Sequence, residues 1–176
     1  KYFHQERTEL FGHSVIISRT GYSGERGYEI FAGADVVGDL WDKILEKGAS
    51  IGIIHCSFDC LDKTRVEAGL LFYPYDMDET TSVWEVGLGW AMAQNGAPYR
   101  GKNAAMALKG KERIKLVALV FDHSEDLKGG EKLMLDGVEI GVVNSAVYSK
   151  PMGKSIALGH VVPSASAPGT MLKVMG

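Results

Sequence analysis

Residues 19–29 read RTGYSGERGYE, with three glycines within seven positions and a glutamate at the end. The preceding run, HSVIISRT at 13–20, is rich in β-branched and apolar residues and predicts a strand. The following run, GYEIFA at 27–32, predicts a second strand, so the glycines belong to a hairpin connection. A phosphate-binding loop would instead open a helix. The stretch therefore predicts a hairpin and disfavours a nucleotide-phosphate site.

Helical segments are predicted on the C-terminal side of the hairpin. The first is marked by apolar residues that recur at helical spacing, at positions 36, 37, 40, 41, 44 and 45. The run IGIIHC at 51–56 predicts a short strand or a strand-like connector. Residues 57–68 predict a second helix, with Ser57 as its N-cap and Gly69 as its stop. A further short helix is predicted within residues 98–108.

From residue 112 the chain changes to short β-rich runs separated by turn residues. The runs are IKLVALVF, EKLML, VEIGVVNSAVYS, SIALGHVV and TMLKV. The segments GG, DG, KPMG and SAPG lie between them. Several short strands at this spacing predict a small antiparallel barrel or sandwich. We therefore predict an α/β part up to about residue 93 and an antiparallel β part from about residue 112.

Composition and charge narrow the classes of function. The 176 residues are 45% hydrophobic and 23% charged, with a net charge of −3, which argues against a general nucleic-acid-binding surface. No apolar run approaches the roughly 18 residues that a bilayer-spanning helix needs, and the N-terminus, KYFHQERTEL, lacks the pattern of a targeting peptide. We therefore expect a cytoplasmic protein without a membrane or nucleic-acid partner.

The cysteines and histidines do not predict a metal site. Cys56 and Cys60 are the only cysteines, and their spacing fits neither a disulfide framework nor a four-ligand zinc site. The five histidines are scattered, without metal-ligand spacing. We interpret the two cysteines as buried structural residues on a helix in a reducing compartment, and we predict no metal.

Glu29 is the candidate binding residue in the predicted hairpin. Alternation along residues 27–32 places Tyr28 and Ile30 on one face of the strand, and Glu29 with Phe31 on the other. Glu29 therefore either faces solvent or points into a cleft beside aromatic side chains. In a cleft, its carboxylate could accept two parallel hydrogen bonds from the N–H edge of a guanidinium-like heterocycle such as pterin. Periodicity leaves both alternatives open.

Several ordered motifs resemble the glycine cleavage T-protein family, aminomethyltransferases that use tetrahydrofolate. RTGYSGERGYE is similar to the family's RTGYTGEDGYE, and RVEAGLLFYPYDMDETTSVWEVGLGWAM resembles its RLEAGLxLYGxDxDExTxPxExGLxW block. PYRGKNAAMALK resembles its FIGKEAL segment, and residues 137–172 follow its C-terminal barrel. The resemblance implies an α+β fold. It combines the C-terminal half of a folate-binding α/β region, at 1–93, with a small antiparallel β-barrel domain, at 94–176.

The resemblance also implies an activity, a cofactor and partners. In the family, an aminomethyl group arrives on the lipoyl arm of the H-protein, ammonia is released, and the carbon passes to tetrahydrofolate. The glutamate at the Glu29 position holds the pterin ring, and Tyr22 lines the same cavity. We therefore predict tetrahydrofolate as the cofactor, lipoylated H-protein as a partner, and Glu29, Tyr22 and Arg65 as folate-binding residues.

Arg65 is included because the family's ARDxxRLEA segment corresponds here to CLDKTRVEA. Leu61 thus replaces an arginine that helps to bind folate, and leucine has no hydrogen-bond donor. Either Arg65, one helical turn later, or Lys63 would compensate for the donor that is lost with Leu61. Alternatively, Arg65 is held in an internal ion pair with Asp62 or Glu67.

A second departure concerns catalysis. The family's catalytic aspartate belongs to an N-terminal half that this chain does not contain, so we predict no catalytic residue and expect the chain alone to be inactive. Truncation, proteolysis or a natural split subunit would each explain this, and the missing half is then a predicted partner. The alternatives are a folate-dependent demethylase or oxidase subunit, which Leu61 favours, and a non-catalytic folate-binding module. A branch of iron–sulfur maintenance factors carries KGCYxGQE, whereas PYRGKNAA here lacks the cysteine.

Overall fold

The computed structural model describes residues 1–93, 96, 98–123 and 127–176, which divide into two units, residues 1–70 and 71–176. The domain limits predicted from the sequence, between residues 93 and 94, stay a prediction. None of the helices in the described ranges has the length and apolarity of a membrane-crossing segment.

The first unit contains a three-stranded antiparallel sheet in the order β1–β2–β3. Its strands are β1 (Gln5–Leu10), β2 (His13–Ser18) and β3 (Glu29–Phe31). The predicted hairpin around the glycine-rich loop is confirmed, because β2 and β3 pair directly and Ser18 lies opposite Glu29. This register brings the two ends of the loop together.

Strand β1 is absent from the sequence-based prediction. The first five of its residues, QERTE, are polar and exposed, and only the last, Leu10, is apolar, so no apolar alternation marks the strand. The strand lies at the edge of the sheet and joins β2 through a two-residue turn at Phe11 and Gly12. Both turn residues have positive φ, 52° and 83°, as a type I′ hairpin requires. Main-chain pairing with β2, and not burial of side chains, stabilises this strand.

Two helices complete the first unit, α1 (Val37–Gly48) and α2 (Phe58–Glu67), and both were expected from the sequence. Ser57 caps α2 as predicted, since its hydroxyl accepts a hydrogen bond from the Cys60 N–H at 3.2 Å. Gly69 follows α2 with a φ of +69° and ends it.

The run at 51–56 forms a connector and not a strand. A short 3-10 helix, Ala49–Ile51, ends at Gly52, which has the left-handed φ of 79°. Residues 53–57 then continue without regular structure to the start of α2. The isoleucines of this run favour a strand, but Ile51, Ile53 and Ile54 are 86%, 40% and 78% exposed, and no strand in the described part of the chain pairs with them.

The second unit is built around a five-stranded antiparallel sheet in the order β4–β7–β6–β5–β8. Helix α3 (Lys102–Ala107) lies within the predicted range and precedes the sheet. The strands are β4 (Lys115–Val120), β5 (Lys132–Leu135), β6 (Val138–Ser149), β7 (Lys154–Val161) and β8 (Lys173–Met175). Leu133, Val143 and Val161 form the centre of its apolar core. The predicted antiparallel β part is thus confirmed.

A buried carboxylate holds the segment that leads into this sheet. Glu85 is 3% exposed and accepts hydrogen bonds from Arg113 Nε at 2.9 Å, the Arg113 backbone N–H at 3.0 Å and the Ser82 backbone N–H at 2.7 Å. These donors favour the ionised form, and the bond from Arg113 contributes most to lowering the pKa of Glu85 to about 2. The Leu116 N–H donates to the Glu85 carbonyl at 2.7 Å, which ties the segment to β4.

Stability is expected to fall in acid because of Glu85. Its pKa lies below the ordinary value of 4.5, so its stabilising contribution is complete above about pH 4.5 and is lost as the pH falls towards about 2. We expect Glu85→Gln to lower the melting temperature at pH 7 and to flatten its dependence on pH in this window, as followed by circular dichroism. Glu139→Gln changes an exposed carboxylate of β6 and serves as the matched control. A pH dependence as steep in Glu85→Gln as in the unmodified protein would contradict this account.

Candidate functional site

The candidate site begins at Glu29, the first residue of β3 at the end of the glycine-rich loop. Its side chain is exposed, and the Thr20 hydroxyl donates a hydrogen bond to its Oε2 atom. Thr20 is the one partner that the described part of the chain provides for this carboxylate. Position 29 therefore carries an accessible acceptor whose orientation is fixed from across the hairpin.

The hydroxyl of Ser18 extends this contact into the sheet. Ser18 is 7% exposed, and its Oγ atom lies 2.9 Å from the hydroxyl oxygen of Thr20. Because each hydroxyl has one proton, both contacts are satisfied when Ser18 donates to Thr20 and Thr20 donates to Glu29. The result is a short chain of hydrogen bonds from the buried Ser18 hydroxyl to the exposed carboxylate of Glu29.

Arg19 holds the two ends of the loop. Its Nη1 atom donates to the Gly27 carbonyl at 2.7 Å. The guanidinium carbon lies 4.9 Å from the centroid of the Tyr2 ring and 5.0 Å from that of Tyr28, so the cation contacts two aromatic faces. Arg19, just before the loop, thus contacts Gly27 and Tyr28 at its far end and holds the loop that carries Glu29.

The tip of the loop packs against helix α2. Gly24 has a positive φ of 74°, and a Cβ atom at this position would lie 2.3 Å from the Cβ atom of Ala68. A side chain at position 24 would therefore both strain the backbone and displace the end of the helix. Glycine is required here by close approach, which fixes the loop relative to α2 within the first unit.

The aromatic residues near Glu29 are accessible. Tyr22 lies in the same loop and is half-buried, whereas Phe31, two residues beyond Glu29 on the same face of β3, is 55% exposed. The Glu29 side chain has to be accessible whether it faces solvent or points into a binding cleft. It is exposed here, and the exposed ring of Phe31 lies beside it on the same face of β3. The folate-binding roles of Glu29 and Tyr22 stay predictions.

Arg65 is buried, with 2% of its surface exposed. Its Nε atom donates to Asp62 Oδ1 at 2.8 Å, and its Nη1 atom donates to the Leu70 carbonyl at 3.2 Å. The internal ion pair with Asp62 is therefore confirmed. A role of Arg65 in folate binding stays a prediction, as does that of Lys63, whose side chain is exposed.

The expected burial of the two cysteines is wrong, since Cys56 and Cys60 are both exposed and unpaired by a disulfide. Cys56 precedes the N-cap of α2, and Cys60 lies in its first turn, whereas the helix buries Arg65 and Val66. In the described ranges, no group of three or more His, Cys, Asp or Glu side chains is arranged to hold a metal ion.

Thr20 is the site residue that the sequence analysis missed. A single threonine in a loop carries no signal of its own. The signal lies in the pairing register: Ser18 is opposite Glu29, so the residue two positions after Ser18 returns to the same face of the hairpin. The pairing register is set by the geometry of the connecting loop. The three glycines of that loop make its geometry hard to predict from the sequence.

Family models match most of the chain. The GCVT N-terminal domain matches residues 1–96, and the glycine cleavage T-protein C-terminal barrel domain matches residues 114–175. These matches agree with an α/β part followed by a barrel domain, in the order expected from the sequence.

Curated relatives carry several names. The gamma subunit of a heme-dependent oxidative N-demethylase from Ectopseudomonas mendocina is 40% identical, over 99% of this chain and 49% of that protein. An aminomethyltransferase from Thermotoga neapolitana is 36% identical, over 91% of this chain and 44% of that protein. A trimethylamine-oxide aldolase from Ruegeria pomeroyi is 34% identical, over 93% of this chain and 21% of that protein.

A solved structure shows the same fold. The glycine cleavage system aminomethyltransferase T from Bartonella henselae superimposes with a TM-score of 0.84 at 25% identity, covering 91% of this chain and 45% of that one. The chain spans about half the length of the aminomethyltransferases it matches, and the expected α+β fold with a C-terminal barrel domain is confirmed. By its motifs, its fold and both family models, this chain belongs to the aminomethyltransferase family of the glycine cleavage T-protein.

Proposed function

We propose that this chain is the folate-binding part of a tetrahydrofolate-dependent one-carbon transferase. The observation that supports this most is the exposed carboxylate of Glu29, which the Thr20 hydroxyl orients at the end of the glycine-rich loop. The bond from Arg19 to the Gly27 carbonyl holds that loop, and the chain belongs to this family. Tyr22 and Phe31 would supply aromatic surface beside the carboxylate, whereas Arg65 is committed to its bond with Asp62.

The chemistry of a carboxylate suits the pterin ring. The ring presents N–H and NH₂ donors side by side, and the two oxygens of Glu29 can accept from both. Oxygen Oε2 retains a second lone pair while it accepts from Thr20, so it can bind Thr20 and the pterin ring at the same time. Because Thr20 fixes the rotamer before the ligand arrives, less side-chain entropy is lost on binding.

Glu29 would position the folate and would not itself exchange protons with the substrate. In aminomethyl transfer, the bonds from the carbon to the lipoyl sulfur and to the amine nitrogen both break. The dihydrolipoyl thiol and ammonia leave with the two protons of the folate nitrogens that take their places, which calls for a general acid or base near the amine. We assign no residue of this chain to that step. The first candidate donor is accordingly the aminomethyl group on a lipoylated H-protein, with the rest of the folate domain supplying the acid or base.

A second candidate donor is favoured by two observations. The demethylase gamma subunit is 40% identical over 99% of this chain, and Leu61 stands where the resemblance implies an arginine. An N-demethylase releases its carbon at the oxidation level of formaldehyde, which tetrahydrofolate captures with loss of water. The folate cavity would then be kept while the carbon donor differs.

The donor can be identified with the full-length protein and tetrahydrofolate. We expect methylene-tetrahydrofolate to form with one of two donors, H-protein charged with the aminomethyl group or formaldehyde, faster than in the uncatalysed reaction. Residues 1–176 alone should give no acceleration with either donor. Acceleration by these residues alone would overturn the assignment of the acid or base to another segment. No acceleration by the full-length protein with either donor would overturn the proposed transferase.

A further inference from the structure

A cavity of about 360 Å³ opens in the second unit of the chain. Ile114 and Val142 supply apolar surface to its lining. The polar part of the lining includes three side chains that other residues hold in place, Asp78, Arg113 and Asn144. An apolar surface combined with a few oriented polar groups is typical of a small-molecule site.

Asp78 lines the cavity with a carboxylate that is bonded at one oxygen. Its Oδ1 atom accepts hydrogen bonds from the Thr80 N–H at 2.8 Å, the Thr80 hydroxyl at 2.7 Å and the Thr81 hydroxyl at 3.0 Å. These bonds, with that from the Thr80 hydroxyl contributing most, hold the pKa of Asp78 below its ordinary value. The Oδ2 atom has no partner among the described residues, so an oriented negative charge faces the cavity.

The Arg113 guanidinium is held at two of its three nitrogen atoms. Its Nε atom donates to Glu85 Oε1 at 2.9 Å, and its Nη2 atom donates to the Thr80 carbonyl at 2.8 Å. The Nη1 atom has no acceptor in the described part of the chain, so its two N–H groups are available to a ligand. Because Thr80 bonds to both Asp78 and Arg113, the two opposite charges lie on either side of one residue.

Asn144 lines the cavity from a β-bulge. The register between β6 and β7 shifts between Val143 and Ser145, so Asn144 lies at the irregular position, where a bulge redirects the side chain. Its Nδ2 atom lies 3.0 Å from His160 Nδ1, and since an amide nitrogen can only donate, the ring nitrogen accepts. Burial lowers the pKa of His160, which favours this neutral ring. The Oδ1 atom of Asn144 is left as an acceptor, without a partner among the described residues.

We propose that this cavity binds a free amino acid with a short apolar side chain, in its zwitterionic form. The carboxylate of the ligand accepts from Arg113 Nη1, and its ammonium donates to Asp78 Oδ2 and Asn144 Oδ1. The apolar side chain lies against Ile114 and Val142. Because the polar groups are fixed before the ligand arrives, little side-chain entropy is lost on binding.

The charges around the cavity favour a zwitterion over a simple anion. Glu85 is already paired with Arg113, and Asp78 adds a second carboxylate near the same guanidinium. A simple anion would meet this excess of negative charge, whereas the ammonium of an amino acid offsets it. A simple amine would leave the Nη1 donors of Arg113 without an acceptor. A ligand with both groups satisfies all three side chains.

The test titrates isotope-labelled full-length protein with valine and follows the side-chain NMR signals of Asn144 and Arg113. We expect both signals to shift saturably. Isobutylamine is valine without its carboxylate and isovalerate is valine without its ammonium, so each should bind at least about tenfold more weakly. The absence of a saturable shift with valine, alanine and methionine alike would overturn the proposal. Binding of isobutylamine or isovalerate as tight as that of valine would overturn it as well.

Substitutions in the cavity test the same assignment. Asp78→Asn keeps the Oδ1 acceptor for the two threonines but turns Oδ2 into a donor, which opposes the ammonium, so the affinity for valine should fall roughly ten- to a hundredfold. Glu79→Gln makes the same change of charge at a carboxylate that accepts from the Tyr73 hydroxyl at 2.7 Å and is not among the described residues lining the cavity. It should leave the affinity unchanged.

A second variant fills the cavity without removing these hydrogen bonds. Val142 is 36% exposed on β6, and Val142→Trp should abolish the binding of valine. Thermal melting followed by circular dichroism checks that each variant is folded. An affinity for valine that is unchanged in folded Asp78→Asn or in folded Val142→Trp would contradict the assigned site.

Discussion

Replacing Glu29 by glutamine is expected to weaken the binding of tetrahydrofolate to the full-length protein by roughly ten- to a hundredfold. Glutamine keeps the shape of the side chain but turns one acceptor oxygen into a donor, which opposes the donors of the pterin ring. The melting temperature should stay nearly unchanged, because the Glu29 side chain is exposed. Calorimetric titration of both proteins measures the difference in affinity.

The same loop offers a matched control and a test of Thr20. Glu25→Gln makes the same change of charge at another exposed position, and its affinity should equal that of the unmodified protein. Thr20→Val removes the hydroxyl that orients Glu29 and should weaken binding, whereas Thr20→Ser should restore it. In the Glu29→Gln background, Thr20→Val should have little further effect, since the contact it removes no longer matters. Equal affinity in Glu29→Gln and wild type would leave Glu29 as a surface residue only.

Replacing Leu133 by alanine is expected to lower the free energy of unfolding by about 2–5 kcal/mol. Leu133 is 0% exposed, lies in β5 and packs in the core cluster with Val143 and Val161. Alanine removes three buried carbon atoms and leaves a cavity that the surrounding strands fill only in part. Denaturation in urea, followed by circular dichroism, measures the loss.

An exposed position on the same sheet is the control for Leu133. Val138, at the start of β6, is 62% exposed, and Val138→Ala should change the free energy of unfolding by less than about 0.5 kcal/mol. Equal effects of the two substitutions would contradict the position of the core. A change in the slope of the unfolding free energy against urea concentration would indicate altered compactness of the folded or unfolded state.

The fold was predictable where side-chain patterns are strong. Runs of β-rich sequence separated by turn residues mark the strands of the second unit, and the Ser57 cap with Gly69 marks α2. Strand β1 escaped because main-chain pairing stabilises it and its side chains follow no apolar pattern. For residues 51–56 the apolar composition left a strand and a strand-like connector open. The connector forms, since no strand of the described ranges pairs with this run.

The candidate site was predictable only in part. The ion pair between Arg65 and Asp62 follows from a spacing of three on a helix, which the sequence displays. The bond from Thr20 to Glu29 spans a nine-residue separation and depends on the register of the hairpin. Exposure of Cys56 and Cys60 depends on which residues of α2 and its preceding segment are buried, and a short helix with mixed polarity does not reveal it.

The central claim is that this hairpin presents Glu29 to the pterin ring, and a crystal structure of the full-length protein with tetrahydrofolate tests it most directly. We expect the N–H edge of the pterin to lie about 2.7–3.2 Å from the carboxylate oxygens of Glu29. The hydrogen bond from Thr20 should be retained in that complex. A pterin ring bound elsewhere, with Glu29 still facing solvent, would contradict the claim.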